Sequence, residues 1–417
     1  MRVQEHRHKT CDIPISIEEA NVFHASVLLR IWGNERMKLL GSLKLLCLGA
    51  AVLLSVAATA EERTVLIGYA APLTGASGSI GASLVQAAEI AVDDANRQGL
   101  HINGDKLVFK LLVQDDRSDM RTGLLVAEYL VKSGVVGVIG HWNSGVGIPA
   151  SRIYNKADVV QIAQATTSHA YTQQSFSTAF RVVPHDDENA YYTAEYVVRQ
   201  MKAQRIAIID DQTPFGNGYA KQFAQSVESF HGKIVSQYGI SSRTSDFNAV
   251  LKNIQKQNPD VVFFGGLDAQ AGQLARELRR FGIEAPLVGV GGTVGPQFLK
   301  AAGEAGNSTI ALEPGPASYK GAQWQQFYKA YKGRHGDDMG LYAPFSYDAV
   351  QVLVAAIRQA NSLDRQRIVA AMHQVRHNGL TGMVAFDQEG NLANPVFTIY
   401  QVRNQKWTPL KTIGGKK

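Results

Sequence analysis

VVGVIGHWNSGVGIPASRIYNKADVVQIAQATTSHAY, residues 135–171, is the stretch whose reading decides the fold. It opens on the apolar run Val135–Gly140 and passes through the polar loop His141-Trp142-Asn143-Ser144-Gly145. A short helix through Pro149 and Tyr154 follows, then a second apolar run, Val159–Ala163, which leaves through Gln164-Ala165-Thr166-Thr167-Ser168. Two apolar strands around a helix predict a βαβ unit with parallel strands buried on both faces. Ligands of open parallel sheets gather beyond the carboxyl ends of the strands, so both exit loops fall at one ligand-facing edge. The first offers the Ser144 hydroxyl, the Trp142 ring and free N–H groups at a helix start; the second offers the amides and hydroxyls of Ala165, Thr166 and Thr167. Together they suit a carboxylate, although each alone also reads as an ordinary helix cap.

Outward from this unit the same alternation continues. Strands are expected at Val65–Ala70, Leu107–Val113, Arg205–Ile209, Lys233–Tyr238, Asp260–Phe264 and Pro286–Val290, with helices at Leu84–Arg97, Arg121–Lys132, Glu188–Met201, Tyr219–Phe230 and Ala269–Phe281. About 230 residues of β-α repeat exceed one comfortable open sheet. The pattern breaks near Arg181–Asp187, where the acidic run Asp186-Asp187-Glu188 suits the positive end of a helix. Further helices are expected around Trp324–Lys332, Asp348–Asn361 and Arg365–Val375, and the chain is expected to end in hairpin-like strands at Met383–Phe386 and Val396–Val402. The expected class is α/β, with two doubly wound parallel-sheet lobes.

Composition narrows the function. The 417 residues are 45% hydrophobic and 19% charged, a globular balance, with a formal net charge of +6. No basic stripe interleaved with aromatics appears, so nucleic acid is not an expected partner. The segment from Met37 has a positive start at Lys38 and Lys44, an apolar run Leu45–Ala57 and the small residues Ala58-Thr59-Ala60. It reads as a secretory signal over residues 37–60, cleaved before Glu61. Residues 1–36 fit no such role and are expected to be a non-native extension preceding a true start at Met37. Both cysteines, Cys11 and Cys47, precede residue 61, so neither disulfides nor thiol catalysis is expected of the mature chain.

Motifs for other chemistry are thin. Thr74-Gly75-Ala76-Ser77-Gly78-Ser79-Ile80-Gly81 matches the glycine pattern of dinucleotide-binding reductases, and Tyr328 and Lys332 form a YxxxK pair. However, Pro72 and Leu73 separate the glycines from the first strand, and the Tyr–Lys pair lies far downstream in an amphipathic helix. An NAD(P)-dependent reductase is therefore the least favoured reading. His373 and His377 stand four apart without an accompanying carboxylate and are expected on a solvated helix face. Arg276, Arg279 and Arg280 suit a wet helix face or one that docks a transporter. No cofactor, metal site or catalytic residue is expected.

The strings VLIGYAAPLTG, AAEIAVDDAN, VIGHWNSGVGIPAS, RIAIIDD, DVVFFGGLDAQAG and YAPFSYDAV resemble the periplasmic branched-chain amino-acid binding proteins of ABC transporters, from about Thr64 onward. The resemblance implies the type I periplasmic binding fold, two lobes joined by a three-stranded hinge. These would be residues 61–184 with 316–392, and 185–315 with 393–417. It implies a periplasmic, monomeric, non-enzymatic solute carrier that serves a membrane permease. The ligand carboxylate would rest on Ser144 and on groups at Ala165 and Thr167, under the ring of Phe215. The family's ammonium-binding acid falls at Gly291, its stacking ring at Leu267 and a first-lobe Tyr at Ile80. Asp186 and Asp268 are the candidates to replace the lost acid; otherwise the ligand is a carboxylate or amide without an ammonium group, such as an aromatic acid. A ligand-sensing regulator of the same fold is a further alternative.

Overall fold

The computed structural model describes residues 61–415. The expected extension and signal segment, residues 1–60, lie outside them. The chain begins with strand β1 (Glu62–Ala71), helix α1 (Gly78–Gln98), β2 (His101–Ile102), β3 (Asp105–Asp115) and α2 (Met120–Lys132). The central unit follows: β4 (Gly137–Gly140), α3 (Ser144–Lys156), β5 (Val160–Ala163) and β6 (Ala179–Arg181). These strands form a six-stranded sheet in the order β2-β3-β1-β4-β5-β6, parallel except at β2. The strands β4 and β5, and β1 from Val65 onward, are almost wholly buried, as their apolar runs require.

The chain then passes through α4 (Asp186–Glu195) into β7 (Arg205–Asp210), α5 (Pro214–Ser229), β8 (Lys233–Gly239), α6 (Asn248–Gln257), β9 (Val261–Gly265), α7 (Asp268–Arg280), β10 (Leu287–Gly289), α8 (Pro296–Ala302) and β11 (Ile310–Pro314). After it come α9 (Ala322–His335), α10 (Ala343–Ala360), α11 (Arg365–Met372), β12 (His377–Gly379), β13 (Gly382–Val384), β14 (Val396–Arg403) and β15 (Lys406–Gly414). The second sheet runs β15-β14-β11-β10-β9-β7-β8, parallel from β11 to β8 and antiparallel at β14 and β15.

Helix α10 returns the chain to the first sheet. It is apolar on nearly every face, which marks a helix enclosed by its own core. It packs with α1 in the cluster that includes Ile67, Leu84, Ala88, Val350 and Leu353. Its buried polar side chains are engaged: Ser346 donates to the Leu84 carbonyl, Gln351 to that of Ala91, and the Tyr347 hydroxyl to Asp94. Asp348, fully buried, accepts from the Leu380 and Thr381 amides and the Thr381 hydroxyl.

Two expectations need correction. Met383–Phe386 and Val396–Val402 do not form a hairpin with each other: β13 pairs with β12, and β14 pairs with β11 and β15. The partner strand Lys406–Gly414 is half exposed and carries Lys and Thr, so its apolar period is weak. His373 and His377 do not share a helix face either, because α11 ends at Met372 and His377 lies in β12. His373 meets the Ser177 carbonyl and the Phe180 ring.

The glycine loop has a packing explanation. Gly81 lies where α1 crosses Pro72, and a β-carbon there would fall 1.8 Å from the Pro72 carbonyl oxygen. Asp115, at the end of β3, accepts from the Leu73 amide and the Thr74 hydroxyl and so fixes the loop's entry.

Candidate functional site

The two exit loops of the opening stretch meet. Ser144 is the first residue of α3, and Asn143 before it makes no side-chain cap, so the helix presents uncapped N–H groups. The Ser168 amide approaches Ser144 Oγ at 3.4 Å, and the Thr166 hydroxyl donates to the His141 carbonyl at 2.9 Å. Ser144, Ala165, Thr166 and Thr167 are all buried.

A buried cation and a buried hydrogen-bonded triad hold these loops in place. The Arg181 guanidinium donates to the carbonyls of Thr166, Thr167 and Ser168 and to the Thr172 hydroxyl. Burial pulls it down to about 10, so it remains cationic at neutral pH. Under the first loop, His141 Nδ1 lies 2.7 Å from Asp116 and its Nε2 3.1 Å from the Tyr154 hydroxyl, all three residues fully buried. Arg181 thus engages three carbonyls of the second loop, and the Thr166 hydroxyl is spent on the His141 carbonyl, so the Ser144 and Thr167 hydroxyls are the ones left near the helix start.

The opposing wall comes from the second sheet. Helix α5 starts at Pro214, capped by Thr213, and a methyl group on Gly145 would stand 3.4 Å from the Pro214 ring. The starts of α3 and α5 thus face each other, and Phe215 sits half-buried beside them. Between the halves lies a cleft lined by Ile80, Trp142 and Tyr342 on one side and Asp268, Gly292 and Val294 on the other. Trp142 and Tyr342 meet edge to face at 4.9 Å. Leu267 precedes α7 and reaches toward Gly292.

The acids divide by environment. Asp186 opens α4 and is 2% exposed, and neither of its carboxylate oxygens has a hydrogen-bond partner among the described residues. Burial pushes it up to about 7, against the opposing pull of the nearby Thr167 hydroxyl and the Arg181 charge. The acidic run opens the helix as expected, with Asp186, Asp187 and Glu188 all in the first turn of α4 at its positive end. Asp268 borders the cleft, accepts from the Ala269 amide and is pushed by burial to about 6.

At Gly291 a side chain would begin 3.1 Å from the Tyr342 hydroxyl and 3.8 Å from Glu313 Oε2. Glu313, fully buried in β11, accepts from the amides of Gly292 and Val294 and from the Tyr342 hydroxyl. Its burial raises it to about 8 against those donors. A carboxylate therefore does lie beneath Gly291, engaged on both oxygens and delivered from another strand. Both missed charges carry one visible signal: an ionic residue inside an apolar strand, as in Ala179-Phe180-Arg181-Val182 and Ala311-Leu312-Glu313-Pro314.

Among known proteins, the periplasmic binding protein family matches residues 64–406. A Leu/Ile/Val-binding protein homolog 1 of Brucella abortus is 31% identical over 339 residues, covering 81% of this chain and 90% of that protein. A leucine-binding protein structure from Thermotoga maritima superposes with a TM-score of 0.78 at 22% identity, covering 84% of this chain and 98% of that one. The branched-chain amino-acid binding protein LivJ of Streptococcus pneumoniae, solved with isoleucine, gives 0.76 at 23%, covering 85% and 100%.

Proposed function

The chain belongs to the periplasmic binding protein family, and from that premise we propose that it is an exported, monomeric, non-enzymatic receptor that captures a small aliphatic amino acid and delivers it to an ABC importer. The lobes are taken as residues 61–184 with 316–392 and residues 185–315 with 393–417, one around each sheet. Export would use the segment 37–60. Among the described residues no helix is long and apolar enough to cross a membrane, so the membrane partner would be a separate permease.

One observation carries the choice of ligand: the buried, unpartnered carboxylate of Asp186 sits beside the carboxylate-binding loop, with its own amide donating to the Thr167 carbonyl. Such an acid is destabilising alone and is stabilised by a cation. Uncapped amides and hydroxyls on one side and a free carboxylate on the other complement the two ends of a zwitterion. The ligand carboxylate would meet Ser144, Ala165 and Thr167, its ammonium would meet Asp186, and its side chain would enter the cleft lined by Ile80, Trp142 and Tyr342. Phe215 and Leu267 would close over it as the lobes shut. Closure follows only if these contacts are stronger in the shut state. Glu313, already saturated by the Gly292 and Val294 amides and the Tyr342 hydroxyl, would make no direct contact.

The test is calorimetry of the purified protein against leucine, isoleucine and valine, with 4-methylpentanoate, 3-methylbutylamine and benzoate as controls. Amino acids should bind and each single-ended analogue should bind far more weakly. Binding of benzoate or 4-methylpentanoate as tight as that of leucine would overturn the zwitterion reading.

A further inference from the structure

We infer that the crossover between the sheets carries a second, inorganic site: a divalent transition-metal ion of zinc type held by His169, His185 and Asp187. One donor atom from each lies within 4.8 Å of the other two. His169 Nδ1 is 2.5 Å from Asp187 Oδ2, and the two imidazole rings stand 6.1 Å apart at 63°. Several buried atoms here lack any partner among the described residues: His185 Nδ1, Asp187 Oδ1 and Glu188 Oε2. His185 Nε2 faces Glu188 at 3.8 Å. That separation is too long for a hydrogen bond, and Nδ1 is the buried ring nitrogen left for a metal.

Two imidazoles and a carboxylate suit zinc, cobalt or nickel, whereas magnesium and calcium require oxygen donors. The three side chains are only partly buried, so the ion would be reachable from solvent and would keep a coordination position for water. Drawing the donors into a tetrahedral shell about 2 Å from the metal needs side-chain rotation at His169, which lies in a short turn.

The place matters to the ligand site. His169 directly follows the loop Ala165–Ser168, and Asp187 follows Asp186, whose amide is bonded to Thr167. A bound ion would tie that loop to the start of α4.

The experiment titrates tag-free, chelator-treated full-length protein with Zn²⁺ and Mg²⁺ by calorimetry and records the visible spectrum with Co²⁺. The site predicts one tight Zn²⁺ equivalent, negligible Mg²⁺ heat and intense tetrahedral-type Co²⁺ bands. His169→Ala and His185→Gln should each weaken Zn²⁺ by roughly 100-fold, with the far-ultraviolet circular dichroism unchanged. Zn²⁺ binding that both folded variants retain would place it on other histidines and overturn the site; so would absence of binding to the native protein. Failure of amino-acid binding would leave this result untouched, since neither histidine is placed in the ligand's binding contacts.

Discussion

In the binding mode proposed above, a single carboxylate, Asp186, separates the two ligand classes that the sequence left open. It is buried with both oxygens unpartnered, so its removal should act in opposite directions on stability and binding. Asp186→Asn replaces a destabilising buried charge with a neutral amide and is expected to hold or raise the melting temperature of the free protein. The same change strands the ligand's ammonium and should weaken leucine by about 3–5 kcal/mol, some two to four orders of magnitude in affinity. Ser144→Ala, at the other end of the ligand, should cost about 1–3 kcal/mol of binding while leaving the fold intact. Calorimetry and thermal melts on the two variants check both; a Ser144→Ala protein with unaltered affinity would remove that hydroxyl from the site. Ser144 and Asp186 were legible as residues because hydroxyls and acids beside strand ends are visible in sequence. That Asp186 lacks a partner was not, because partnership is a property of neighbours distant along the chain.

Helices and strands carry the next level of argument. The β-α alternation from residue 64 to about 290 was readable because buried parallel strands are apolar without interruption and the helices between them are amphipathic. Element ends were less so: α1 begins at Gly78, inside the glycine loop, rather than at Leu84. That start explains the motif that imitates a dinucleotide site. Gly81 is needed because α1 crosses the Pro72 carbonyl too closely for any side chain, so Gly81→Ala should destabilise the protein by about 3 kcal/mol. A chemical melt would show this as a lower midpoint at unchanged slope, and a wild-type midpoint would refute the packing role. The β14–β15 pair escaped notice for the opposite reason, since an edge strand exposed on one side has little apolar period to detect.

Across the whole molecule, the decisive groups join segments far apart in sequence. Glu313 leaves the second sheet, accepts from the loop at Gly292–Val294 and meets Tyr342 at the start of α10. Burial raises it from 4.5 to about 8. Between those values the native state holds the proton more tightly than the unfolded chain, so stability falls as pH rises through this window. Glu313→Gln should lie below wild type in melting temperature, because an amide nitrogen faces backbone donors, and the gap should narrow as pH rises from 5 to 8. A gap that stays constant with pH would show that Glu313 does not titrate there. The sequence by itself determined the α/β class and the family, because these follow from apolar periodicity and contiguous strings. Only the tertiary structure decided which acid is free and which is engaged. Glu313 comes to lie under Gly291 from another strand, and Arg181 reaches three carbonyls of a loop more than ten residues away. Electrostatic partnership depends on distance and burial in the folded chain, and neither is written in the order of its residues.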